Sequence, residues 1–372
     1  MKKVLFVATV LKKHINVFHI PFLKMFKNEG WETSVAAKND FDENEEFKTY
    51  YCDKYYDIPF CRNPLSLGNI NAYKELKTLI NSNDFDIIHC HTPVGGLLTR
   101  LASIKARKKG TKVIYTAHGF HFYKGAPLKN WLIFYPVERF CSRFTDVLIT
   151  INREDFEFAK KKMKAKRIEY VPGVGIDIDK FNSVQIDAQE KRREIGIDSN
   201  DFVLISVGEL NENKNQAVII KAISKIQSKN TKYIICGVGN KRIELEQLAD
   251  SLGISDQVVF LGFRFDIPQL LKIADVFVFP SKREGLPLSM MEAMASGLPC
   301  ICQNIRGNND LIENGKNGYL VFNNDENQYA QKIDLLIKDK EKSKLMGENA
   351  RNSLDIFSNN TVQRMMYRIY FN

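Results

Sequence analysis

Short, uniformly apolar runs rich in Val and Ile recur along the chain. In the first half they are VLFVATV (4–10), TSVAA (33–37), DIIHCH (86–91), KVIYTAH (112–118), DVLITI (146–151) and IEYVP (168–172). In the second half they are FVLISVG (202–208), KYIICGVG (232–239), QVVFLGF (257–263), DVFVFPS (275–281) and PCICQNI (299–305). They lack the polar–apolar alternation of a half-exposed strand, so they read as strands buried on both faces of parallel sheets. Amphipathic stretches such as INAYKELKTLINS (70–82), NQAVIIKAISKIQS (215–228) and NQYAQKIDLLIKD (327–339) lie between them and predict helices. The alternation predicts a doubly wound α/β architecture, and eleven strands call for two sheets. VPGVGIDIDKF (171–181) sets a Pro and two Gly between strand text and a polar run, which puts a hinge near 172–180. The expected domains are 1–176 and 177–356, with the helical text at about 357–372 returning to the first.

Composition changes this picture little, but charge does. At 372 residues the chain exceeds what one core organises, and no apolar run reaches the 18 residues of a membrane span. MKKVLFVATVLKKH imitates a signal peptide, but Lys12 and Lys13 follow at once without a small-x-small cleavage site, so a buried first strand is expected. Seven cysteines without a C-x-x-C read as reduced, packed thiols of a cytoplasmic protein. The net charge of +10 sits in residues 1–177, where 29 Lys and Arg face 19 Asp and Glu. Between Asp86 and Glu138 there are eight basic residues and no acidic one. That gap suits an anionic partner. A nucleic acid is one such partner, but no recognised binding module or stacking motif is present, so none is expected.

The most informative text is DVFVFPSKREGLPLSMMEAMASGLPCIC (275–302). A strand ends at Ser281, a loop carries Glu284-Gly285-Leu286, Pro287 opens a helix, and Gly297 with Pro299 closes it. Met290, Met291 and Met294 form the core face, while Ser289, Glu292, Ala293 and Ser296 form a polar face. A helix start after a glycine-bearing loop attracts anions, above all phosphate. Glu284 and Glu292 are acceptors suited to sugar or ribose hydroxyls. Together they describe a nucleotide sugar.

This E-x₇-E text, with DIIHCHTP, VIYTAHGFHFYKG, LITIN, VPGVGID and LGFRFDIP in order along nearly the whole chain, resembles the retaining nucleotide-sugar glycosyltransferases of family 4, of GT-B fold. The likeness is to the exopolysaccharide and capsule branch. The resemblance implies transfer from a nucleotide sugar, UDP-linked by expectation, to a lipid-linked (polyprenyl diphosphate) saccharide at the inner membrane face, with anomeric configuration retained and no metal or cofactor. It implies that Glu284 faces the donor sugar, that Glu292 binds the ribose, and that backbone amides from Gly285 and Leu286 through Leu288 cradle the diphosphate, with Ser289 also in the donor-binding set. Lys214 matches the lysine that neutralises the leaving group. Gly208, Gly237 and Gly239 match turns beside the nucleotide, and Arg264 lies in the base-contacting segment. The chain departs from the family at Glu209, which stands where an arginine usually pairs with that lysine. Either Glu209 turns to hold Lys214, or Arg264 and helix amides supply the missing charge. The glycine-rich loop after the first strand is also absent, replaced by TVLKKHINVFH (9–19).

All six histidines precede residue 122. By the resemblance, His118 lies beside the donor sugar and the reacting centre; a satisfied core histidine is the bland alternative. His14, His121, Tyr123 and Lys124 are candidate acceptor contacts. A metal set of His89, His91, His118 and His121 lacks carboxylates, and the D-x-D pairs Asp84/Asp86 and Asp177/Asp179 fall at a strand start and in the hinge, so no metal is expected. LLTRLASIKARKK (97–109) reads as one basic amphipathic helix, and LKNWLIFYPVERFCSRF (128–144) adds aromatics. Both suit an anionic membrane surface, although those aromatics suit a core equally. A nucleotide-sugar epimerase or hydrolase of the same fold is the alternative within enzymes.

Overall fold

The structure, a computed structural model, describes all residues, Met1–Asn372. The chain divides into two compact units, Met1–Gly175 with Asn359–Asn372, and Ile176–Ser358. In the first, β1 (Lys3–Val10), β2 (Glu32–Lys38), β3 (Lys54–Asp57), β4 (Ile87–His91), β5 (Lys112–Ala117), β6 (Val147–Thr150) and β7 (Arg167–Tyr170) form a parallel sheet in the order β3-β2-β1-β4-β5-β6-β7. In the second, β8 (Phe202–Val207), β9 (Thr231–Cys236), β10 (Val258–Gly262), β11 (Val276–Phe279), β12 (Cys300–Gln303) and β13 (Gly318–Val321) form another, in the order β10-β9-β8-β11-β12-β13. Each is a Rossmann-like sheet whose order reverses once, between β1 and β4 and between β8 and β11.

Unbroken apolar text follows from burial on both sides. Along β1, Val4, Phe6 and Ala8 enter one core while Leu5 and Val7 enter the other. Along β8, Val203 and Ile205 separate from Phe202 and Leu204 in the same way. The helix Asn359–Phe371 lies in the first unit, where Val362, Met366, Ile369 and Tyr370 join the core of Phe6 and Phe26.

Two strands carry no signal of this kind. β3 is a half-exposed edge strand (KYYD), and β13 is a four-residue edge strand opening on glycine, so neither has a long apolar run. The predicted helix at 215–228 forms only over Ala217–Ile223. The single basic helix expected over 97–109 is two, Pro93–Ala102 and Ile104–Lys108. Arg100 does not face outward: it is fully buried, makes paired bonds to Glu138 of 2.9 and 3.1 Å, and stacks 4.0 Å from the Tyr115 ring centroid. Arg107 binds Asp146 at 3.0 Å.

Candidate active site

In the second unit the informative residues gather at the carboxyl ends of the strands, around the reversal between β8 and β11. The loop after β8 is bonded to the loop after β11 through Lys282 N–H donating to Asn213 O (2.8 Å) and Asn213 Nδ2 donating to Arg283 O (3.0 Å). Asn215, at φ +55°, turns the first of these loops back, and Asn211 Oδ1 accepts from Lys214 N–H at 3.0 Å. The Lys214 stem lies along Gly208, and its ammonium reaches Glu284 Oε1 at 2.7 Å and stands 4.8 Å above the Phe279 ring. The structure thus corrects the expectation for Glu209: its side chain is exposed, and Lys214 is held by Glu284 instead.

Gly237 and Gly239 are required by close backbone approach. A Cβ on Gly237 would stand 1.9 Å from Gly208 O, and one on Gly239 would stand 2.3 Å from Leu210 O. Arg264 supplies no loose charge. Its guanidinium is tied to Asp266 (2.6 Å) and Glu194 (3.3 Å), while Lys191 holds Asp266 from the other side at 2.6 Å.

The helix after Glu284 runs Leu288–Ala295 with Pro287 at its N-cap, where no side chain caps it, so its first-turn amides have no partner within the helix. Gly297, at φ +85°, closes the other end. Met290, Met291 and Met294 are buried in the core; Ala293 is buried with them rather than on the polar face. Glu292 and Ser289 are half-buried. Burial pushes the Glu292 carboxyl up to about 7, against a downward pull from Lys180.

Two residues beside this loop escaped the sequence reading. Arg306 is buried and donates from Nε to Glu284 O at 3.2 Å. Gly307, at φ +82°, lets that segment pass so close that a Cβ would stand 2.4 Å from Gly285 O. The only signal was a lone Arg-Gly after strand text in QNIRGNND.

In the first unit the reversal is tied by Thr9 and Thr92, whose hydroxyl oxygens lie 2.6 Å apart, with Thr92 in the strained region at φ +63°. Where the glycine-rich loop is missing, Leu11–Ile15 makes a wide π-type turn, closed by Asn16 N–H donating to Leu11 O. It sets His14 beside His19, with Nε2 atoms 3.2 Å apart. His91, ending β4, stacks on His19 with centroids 3.7 Å apart, and His118 Nε2 lies 3.5 Å from His91 Nδ1.

The metal set considered from sequence is therefore not the one assembled. His89 is satisfied by Tyr370 Oη (2.7 Å) and Thr116 Oγ1 (2.8 Å), and His121 packs on Phe134 with centroids 4.7 Å apart. Burial lowers His118 to about 4 and His89 to about 3, so the His118 ring is neutral at physiological pH rather than a fixed cation. Lys124 is exposed, its amide bonded to Glu154, and buried Asp155 accepts from Phe120 N–H at 3.0 Å to fix the loop after His118. Asp155 too was missed; its place three residues after the N-cap Asn152 was the available sign.

Residues 3–152 match the family described as glycosyl transferase 4-like, and residues 187–353 match glycosyl transferases group 1. The EpsD protein of Bacillus subtilis is 41% identical over 373 residues, covering 99% of this chain and 96% of that protein. The chain is a glycosyltransferase. A relative from Escherichia coli, named UDP-Gal:alpha-D-GlcNAc-diphosphoundecaprenol alpha-1,3-galactosyltransferase, is 32% identical to this glycosyltransferase over 342 residues, covering 89% of the chain and 86% of the relative. In fold, the enzyme is similar to the crystal structure of Anabaena HepE in complex with UDP and glucose (TM-score 0.81, 22% identity, 99% of both chains). It is also similar to WaaG, a glycosyltransferase of lipopolysaccharide biosynthesis (TM-score 0.77, 18% identity, 99% of this chain and 100% of that one). The glycosyltransferase thus has the GT-B fold expected from its sequence.

Proposed function

We propose that this glycosyltransferase moves a sugar from a UDP-linked donor to a lipid-linked saccharide in bacterial exopolysaccharide or capsule synthesis, with retention of configuration. The observation that carries the reading is the Lys214–Glu284 pair, 2.7 Å apart at the strand-order reversal beside an uncapped helix start. Donor binding places a diphosphate against the free amides of Gly285, Leu286, Leu288 and Ser289, where helix polarity favours anions. Lys214 then turns from Glu284 to the diphosphate, and Glu284 is released to accept from the sugar hydroxyls. Arg306 takes the place of the arginine lost at Glu209. Glu292 reads the ribose, and neutral His118 hydrogen-bonds the sugar. Charge on the departing diphosphate is met by these fixed groups without a metal, and the phosphate takes the acceptor's proton. A UDP donor is supported by the UDP complexes of HepE, and a lipid-linked acceptor by the substrate in the name of the Escherichia coli relative.

A membrane position inside the cytoplasm is part of the proposal. No helix is long and apolar enough to cross a membrane. The helix Leu128–Cys141 turns Trp131, Phe134 and Tyr135 inward but leaves Leu128, Leu132, Ile133, Val137 and Phe140 exposed. Lys124, Lys129, Arg139 and Arg143 are exposed along the same stretch of chain. Apolar and basic side chains together suit an anionic bilayer.

The test is a thermal-shift panel of UDP, GDP and ADP, followed by their sugars and a lipid-linked acceptor. UDP alone should raise Tm, and a UDP-sugar should be consumed only when acceptor is present. Stabilisation by GDP or ADP instead would overturn the donor. Free sugar or an epimer formed from donor alone would replace transferase with hydrolase or epimerase.

A further inference from the structure

Four imidazoles from three separate chain segments meet beside the β1/β4 reversal of the first unit. His14 comes from the wide turn after β1 and His19 from the end of the short helical turn Asn16–Phe18 that follows it, His91 from the end of β4 and His118 from the segment after β5. One ring nitrogen of each lies within 4.8 Å of the others. We propose that His14, His19, His91 and His118 form a binding site for a borderline-soft divalent transition ion of the zinc class.

The spacing fits that chemistry. A tetrahedral ion bound to nitrogen at roughly 2.0–2.1 Å sets its ligands about 3.3 Å apart. The His14–His19 nitrogens are 3.2 Å apart and the His91–His118 nitrogens 3.5 Å apart, so two edges are already near that length. The polar accounts of the two buried rings are also incomplete. The other ring nitrogens of this buried pair, His19 Nδ1 and His91 Nε2, have no hydrogen-bond partner, so no bond from them holds either ring against turning, and both residues are 1% exposed. A buried ring nitrogen with no partner is costly, whether it carries the proton or the lone pair. His19 and His91 line a cavity of about 10 Å³ together with His89 and His118, room for about one small guest.

The donor set narrows the guest. Imidazole without carboxylate or thiolate suits zinc, copper, nickel or cobalt and excludes calcium and magnesium, which take oxygen ligands. His19 and His91 stack with planes 27° apart, so one of them turns about its outer side-chain torsion to bring all four lone pairs onto the ion. His14 and His118 are half-buried and leave a way in. Occupancy would staple the turn after β1 to the ends of β4 and β5. It would also engage His118, and so oppose the sugar contact proposed above. The binding measurement does not depend on that contact.

The test uses the full-length protein without a histidine tag, stripped with a chelator and titrated with Zn²⁺ by calorimetry and with Co²⁺ by visible absorption. One ion per chain should bind saturably, with the intensified Co²⁺ bands of a four-coordinate nitrogen site. Affinity should fall at least about tenfold in His14→Ala and in His91→Asn. It should be unchanged in His121→Ala, whose ring lies outside the set. Thermal melts of the ion-free variants show whether each is folded. If His91→Asn is not, His14→Ala, with its half-exposed ring, decides. Absence of saturable one-to-one binding in the wild type, wild-type affinity in His14→Ala, or an equal loss in His121→Ala would each overturn the site.

Discussion

Lys214 and Glu284 hold each other at 2.7 Å, so removing either frees an ionic group in a half-enclosed site. Lys214→Ala should lower kcat by at least about a hundredfold, the scale of losing one charge-stabilising donor at a transition state. Glu284→Gln should lower kcat/KM at least tenfold, the scale of one hydrogen bond to a charged group. Steady-state kinetics with the sugar donor selected by the thermal-shift panel checks both, and wild-type rates in either variant would remove that residue from the site. Glu292 makes a prediction of a different kind, because burial pushes its carboxyl up to about 7. The folded protein retains a proton there that the unfolded chain releases near the ordinary value of 4.5. Folding stability is therefore lost as pH rises through that interval, by up to about 3 kcal/mol once the group is fully ionised. Glu292→Gln abolishes this titration. It should melt at a higher temperature than wild type at pH 8 and close to wild type near pH 4, while losing transfer activity at every pH. A melting difference that does not grow with pH would show that the carboxyl is not desolvated.

At the scale of elements, what was legible in the sequence was what burial writes plainly. Strands covered on both faces show as apolar runs, and the text from Val276 to Cys302 could be divided into strand, loop, helix and cap because Pro287 and Gly297 each have a local backbone reason. The wide turn Leu11–Ile15 had no such marker, since its i→i+5 geometry leaves no residue-type signature, and with it went the gathering of His14 and His19. Arg100 was misread for a related reason. Its neighbours in sequence are basic and wet, but Glu138, thirty-eight residues on, holds it inside. That pair joins the helices Pro93–Ala102 and Leu128–Cys141, so Arg100→Met should leave the Glu138 carboxylate unpaired beside the core. A loss of about 3–5 kcal/mol is expected, measured as a lower denaturation midpoint with an unchanged denaturant slope. Gly307→Ala tests the other unit by packing alone. Its Cβ would strike Gly285 O at 2.4 Å from a left-handed backbone, so the loop carrying Glu284 must shift. Donor affinity should fall even where the protein remains folded.

Across the whole molecule, the fold could be read as two Rossmann-like sheets because the βα rhythm restarts after the Pro-Gly text at 172–175, and the chain passes between units at Gly175 and Ile176. The charge asymmetry was equally visible, but its use was not, because sequence does not say which lysines and arginines stay in water. Of the eight basic residues between Asp86 and Glu138, Arg100 is buried, Arg107 is bound to Asp146 and Lys112 donates to Ile369 O. Lys105, Lys108, Lys109, Lys124 and Lys129 remain exposed. If four exposed cations approach an anionic surface, attraction is worth roughly 4 kcal/mol, at about 1 kcal/mol each, which gives reversible docking. The exposed Leu132, Ile133 and Val137 add an apolar contribution that salt does not screen. The two contributions separate by experiment. Wild-type protein should sediment with anionic vesicles at low ionic strength, and raising the salt should weaken but not abolish that binding. In Leu132→Asp/Val137→Asp the salt-resistant part should disappear, with the UDP-induced rise in Tm retained because the residues proposed to hold the nucleotide and its diphosphate all belong to the second unit. Undiminished vesicle binding in that variant would move the membrane contact to another face. Loss of the UDP response as well would mean that the substitutions had disturbed the fold rather than the surface.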